Sequence, residues 1–141
     1  MKTLTIVLMF IFTSPTAMAG VCSGDSFTIK VQKEVFAKVA SIMNIDASKS
    51  PPPVICAEEM TDKEFADAIG MDIWGSKRGN FFSWNLNVVI LTATRSMVHV
   101  LAHEFVHYFQ YHYYWDGDSS KWNDRAEYEA VMIQKTFKGG E

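Results

Sequence analysis

The stretch Val98 to Tyr114, VHVLAHEFVHYFQYHYY, constrains this chain more than any other. Its apolar residues Val98, Val100, Leu101, Phe105, Val106 and Phe109 predict a buried helix. Within it stands His103-Glu104-Phe105-Val106-His107. Residues four apart lie one above the other on a helical face. His103 and His107 therefore turn ring nitrogens toward one point, where a Zn²⁺ accepts nitrogen at about 2.0–2.1 Å. Glu104 follows the first histidine and sits at the edge of that face, placed to take a proton from a water without occupying a ligand position. A buried carboxylate between two imidazoles is costly without a charged partner. That cost argues for a metal site over a core that merely contains histidine.

A catalytic zinc takes three protein ligands and keeps one position open, so a third ligand must come from elsewhere. His99 does not serve: with His103 and His107 it would span about 12 Å of helix at 1.5 Å per residue. His112 falls about 140° around the helix from His107 and faces elsewhere. Gly and His at the third and sixth positions after the second ligand would mark a metzincin. Gln110 and Tyr113 stand there instead and exclude that class. The segment Asp124 to Val131 supplies carboxylates. Ala126, Ala130, Ile133 and Phe137 form its apolar stripe, and Glu127 and Glu129 flank that stripe almost equally on opposite sides. Helical projection leaves both open.

With HExxH on one helix and a glutamate on the next, the chain resembles the gluzincin metallopeptidases. Glu127-Tyr128-Glu129-Ala130 is similar to the E-aromatic-x-A segment of their membrane and periplasmic members. The interval from His107 to Glu127 is similar to that of the thermolysin-like enzymes. In those proteins the first glutamate of the segment binds zinc, so the resemblance implies Glu127 as third ligand, with Glu129 as the alternative. Their pattern continues with Asp where this chain has Val131. The resemblance covers Leu91 to about Gln134. It implies a secreted or periplasmic metallopeptidase that holds one Zn²⁺ on His103, His107 and Glu127 and acts on a peptide or protein substrate. The zinc would polarise the scissile carbonyl and activate a water, while Glu104 takes the proton and passes it to the leaving amine. Two other readings stand beside it. One is a catalytically inactive, zincin-shaped binding protein with a structural or vestigial zinc, since short loops leave little material for a cleft. The other is metal-dependent hydrolysis of a non-peptide amide.

The beginning of the chain reads as a secretory signal peptide over residues 1–19. Lys2 is its positive end, Leu4 to Phe12 its apolar run, and Ala17-Met18-Ala19 its cleavage site. It is too short for a permanent membrane anchor. Residues 20–141 then form one zincin-like domain. The net charge of −3, with no Lys/Arg cluster, excludes nucleic-acid binding and a basic membrane-surface patch. The two cysteines, Cys22 and Cys56, predict one disulfide in an oxidising compartment. Closing a loop of about 35 residues would contribute roughly 4 kcal/mol by the chain-entropy argument.

The remaining elements follow from pattern. Phe27, Val31, Val35, Val39 and Ile42 predict an amphipathic helix from Ser26 to Ile45, capped by Asp25 or Ser26. Pro51-Pro52-Pro53 forces extended chain into a short strand over Pro53 to Ala57. Thr61-Asp62-Lys63-Glu64 is a capping box that opens a short helix, and Gly70 suits its left-handed end. A loop spans Met71 to Asn80, then Phe81 to Trp84 and Asn87 to Leu91 predict a hairpin. The hairpin, or its Val88–Leu91 strand, would offer an edge to which an extended peptide adds. Thr92 or Thr94 would cap the long histidine helix. Asp116, Asp118 and Ser119 lack the further ligands of a Ca²⁺ loop. Tyr108, Tyr111, Tyr113 and Tyr114 read mostly as packing or surface aromatics; a hydroxyl near the zinc could stabilise an oxyanion, but none of them is singled out as catalytic. The fold expected is α+β: a small sheet carrying an N-terminal amphipathic helix, the HExxH helix and a C-terminal helix.

Overall fold

The computed structural model describes residues 22–70 and 78–138. The signal-peptide reading and most of the loop expected from Met71 fall outside them. Helix α1 (Ile29–Ile42) follows a 3-10 turn at Asp25–Phe27. Its cap is Thr28, whose hydroxyl accepts from the Val31 N–H at 3.3 Å, and neither Asp25 nor Ser26 caps it. The 3-10 turn closes on the Asp25 carbonyl, so Thr28 is the first residue left with the extended backbone that an N-cap requires.

Strand β1 (Val54–Cys56) leaves the proline run, and α2 (Asp62–Ile69) follows with the expected capping box. Gly70 ends α2 at φ 75, where an added Cβ would lie 2.6 Å from the Asn85 amide nitrogen. The left-handed conformation calls for glycine there, while the Asn85 amide is the end of a side chain that can move aside. Strands β2 (Phe81–Ser83) and β3 (Val88–Leu91) form the antiparallel hairpin. β1 pairs parallel with the other side of β3, giving the order β1-β3-β2. β3 is therefore central and has no free edge, so of the two expected edges, the hairpin or the Val88–Leu91 strand, only the hairpin's β2 is left with one. The unalternating Val88–Leu91 run reflects this placement, because both faces of β3 are covered. Val89 and Leu91 join the main core with α1, α3 and α4, while Val88 and Ile90 join Met60, Phe65 and Ala68 under α2.

Helix α3 (Val98–Phe109) does not begin at Thr92 or Thr94. A 3-10 turn over Ala93–Arg95 intervenes, and the N-cap residue Met97 gives no side-chain hydrogen bond. Thr92 instead donates both its N–H and its hydroxyl to Asn80 Oδ1, at 2.7 and 3.3 Å. The expected long helix also changes character, running over Gln110–Tyr114 into a π turn closed by the Trp115 N–H on the Gln110 carbonyl. Helix α4 (Asp124–Lys138) starts under Asn123, whose side-chain oxygen accepts from the Arg125 and Ala126 N–H groups. Leu101, Phe105 and Phe109 of α3 are fully buried among Phe36 of α1 and Ala130 and Ile133 of α4. Among the described residues the result is a small α+β fold of four helices and a three-stranded mixed sheet. Cys22 and Cys56 form the expected disulfide, with Cα atoms 5.8 Å apart, tying the segment before α1 to the end of β1. The bond is the kind an oxidising compartment maintains. No helix among the described residues is long and apolar enough to cross a membrane.

Candidate metal centre

Packing α3 against α4 brings His103, His107 and Glu127 together, with candidate ligand atoms within 4.8 Å of one another. The two Nε2 atoms are 3.1 Å apart. Glu127 spans them, Oε1 3.2 Å from His103 and Oε2 3.2 Å from His107. Tetrahedral ligands on bonds of about 2.0–2.1 Å stand about 3.3 Å from each other. The donor triangle thus has the dimensions of a zinc site.

Proton placement tests the fit further. Gln110 is buried in the π turn, where its Nε2 donates to the Ala126 carbonyl and to Glu129 Oε2, each at 2.9 Å. Its amide orientation is thereby set, and Oε1 can only accept from His107 Nδ1, also at 2.9 Å. Gln134 turns its Oε1 to His103 Nδ1 at 2.9 Å. Both rings are held with the proton on Nδ1, so in the neutral form each Nε2 carries a lone pair. Burial, above all, holds His107 below the ordinary imidazole value, with the neighbouring His103 adding to that. The two Nε2 atoms and the Glu127 carboxylate then converge on one point. Such a group could hold a metal ion, with Gln110 and Gln134 as supporting acceptors behind the two rings.

Glu129, the alternative ligand, is not in the triad. It supports the centre at one remove, through Gln110. His99 also stands outside the triad, and His112 lies 2.8 Å from Asn87 Oδ1. Asp118 accepts from Ser120 within a turn and joins no candidate metal group. The thiols of Cys22 and Cys56 are consumed in the disulfide. Glutamines 110 and 134 were not among the residues expected to matter. Their spacing carried a signal: Gln134 follows Glu127 by two helical turns, and Gln110 follows His107 by one, each on its ligand's face.

Glu104 is buried beside the triad but is not a member of it. Desolvation first, then the charge of Glu127, push its carboxyl up to about 8, opposed by a hydrogen bond from the Phe82 backbone. A cation on the triad would offset the Glu127 contribution. The Phe82 contact follows from the sheet. Val89 donates its N–H toward β1, to the Pro53 carbonyl at 2.9 Å. The Phe82–Val89 pair is then a non-hydrogen-bonded one, and the Phe82 N–H and carbonyl point away from β3 along the free edge.

The cleft has two lobes that share Asn80, His103, Glu104 and Glu127. One, of about 420 Å³, is walled by Ala68, Ile69, Phe81, Trp84 and Trp122. The other, of about 660 Å³, is bordered by Glu58, Arg78, Thr92, Thr94, Arg95 and Gln134. No tyrosine lines either lobe. Tyr108 packs in the core on Phe36 and Phe82, and Tyr114 faces Met43, in keeping with the reading of these residues as packing aromatics. No family model, curated protein or solved structure matches the chain.

Proposed function

We propose that the protein is a zinc-dependent metallopeptidase of gluzincin type, with His103, His107 and Glu127 as ligands and Glu104 as general base. The observation that carries this reading is a donor triangle of two imidazoles and a carboxylate beside a buried carboxylate that is not itself a member, both opening on a cleft. Zinc bound there would supply Lewis-acid polarisation of a carbonyl and an activated water. Glu104, desolvated and oriented by the Phe82 N–H, takes the proton of the attacking water and delivers it to the leaving amine. Gln110 and Gln134 keep both rings in the ligating tautomer. The free edge of β2 borders the triad, and an extended peptide that adds to it sets its carbonyl over the site. The disulfide accords with secretion or export to the periplasm.

Metal analysis of the purified protein tests the premise. One zinc per chain is expected, lost in His103→Ala and in His107→Ala, with hydrolysis of a casein-type substrate abolished by chelation and restored by zinc. Zinc retained by both variants would place the metal elsewhere. Zinc bound by the triad without any hydrolysis would leave a metal-binding protein in place of the enzyme.

A further inference from the structure

The two lobes differ in chemistry and are offset along β2: the apolar lobe runs the length of the strand from Asn80 to Trp84, and the polar lobe meets it at the Asn80 end. Arg78, Gly79 and Asn80 precede the strand and border the polar lobe, whereas Trp84 follows it and borders the apolar lobe. His103 and Glu127 line both lobes and His107 the apolar one, so a chain laid along the β2 edge passes from the apolar lobe to the polar one with its reacting bond over the donors. Such a chain has a direction. Antiparallel pairing is the better hydrogen-bonded of the two, and the outward carbonyl of Phe82 is placed to accept a substrate N–H. A strand antiparallel to β2 puts its N-terminal half at the Ser83–Trp84 end.

We infer that the substrate is a polypeptide lying antiparallel along β2, with a bulky apolar side chain, on the N-terminal side of the cleaved bond, seated in the lobe walled by Ile69, Trp84 and Trp122. The inference rests on the peptidase reading above. Trp84 and Trp122 remain 39% and 45% exposed, an apolar rim at the mouth of a polar site. An apolar wall with few polar groups selects by size and hydrophobicity. The other lobe selects weakly. Arg78 is engaged with the Ala57 and Met60 carbonyls and with Asp62, and Glu58 accepts from the Ala93 N–H. That lobe meets the residue after the cut with hydrogen-bonding groups and little apolar wall.

The test is to map, by mass spectrometry, the bonds that the zinc-loaded protein cleaves in a mixture of denatured proteins. Phe, Tyr, Trp, Leu and Met should be enriched immediately before the cleaved bond, with a weak preference after it. Trp122→Ala should lower kcat/KM on a peptide with Phe before the cut by about ten-fold, and less on the matched Ala peptide. Trp84→Ala, on a separate element, should act in the same direction, and zinc content should hold in both. Enrichment after the cut, or no side preference, would overturn this inference and leave the peptidase reading intact. Equal losses on the Phe and Ala peptides would also overturn it. Absence of any cleavage that Glu104→Gln abolishes would overturn both.

Discussion

Helices α2 and α3 cover opposite faces of the same sheet, yet their ends are specified in different ways. α2 starts on a Thr61–Glu64 capping box and stops on a left-handed Gly70. α3 starts at Met97 without a side-chain cap and runs into a π turn. The short scaffold helix is defined by its own neighbours in sequence. The site helix breaks local rules at both ends, and π turns are frequent at functional sites. Here the turn buries Gln110 against His107, Glu129 and the Ala126 carbonyl. In this pair the departures from local consistency fall in the helix that carries the candidate metal centre, and packing against α1 and α4 keeps them in place.

Substitutions in the two helices should therefore fail differently. The largest effect is expected from Glu104→Gln in α3, a nearly isosteric change that leaves the triad untouched. Hydrolysis should fall by roughly 10²–10⁴-fold, while zinc content and melting temperature stay at their original values. Activity within a few-fold of the parent would end the proposed mechanism.

Next come the groups around the ligands. Gln110→Leu removes the acceptor of His107 and strands the donors' partners on α4. It should weaken zinc affinity by about 10–100-fold, as loss of a supporting contact to a ligand does. Glu127→Gln should weaken it more, and Glu129→Gln less than Glu127→Gln, in a chelator competition assay. Equal losses at Glu127 and Glu129 would contradict the division between ligand and support.

The smallest effects belong to α2. Thr61→Ala should lower the unfolding free energy by about 1 kcal/mol in a denaturant titration. Gly70→Ala, which forces a Cβ toward Asn85 at positive φ, should cost about 1 kcal/mol or somewhat more. Zinc affinity should stay constant in both. A fall in zinc affinity at either position would show that the two helices are coupled and break the comparison.

By itself the sequence determined what depends on neighbours a few residues apart. The histidine spacing sets one helical face, the box and Gly70 bound α2, and the aromatic and β-branched runs make the hairpin. Cys22 and Cys56 had only each other to pair with. Other features depend on groups distant in the chain, and tertiary structure decided those. Glu127 and Glu129 are equivalent on an isolated helix; only the docking of α4 on α3 turns one onto the imidazoles and the other onto Gln110. β3 became the centre of the sheet because β1 pairs along its other side, which left the cleft edge to β2. The caps expected at Asp25 or Ser26 and at Thr92 or Thr94 were lost to 3-10 turns, whose hydrogen bonds compete locally with capping. Spacing along a chain specifies a face, whereas the partner of that face is specified by packing.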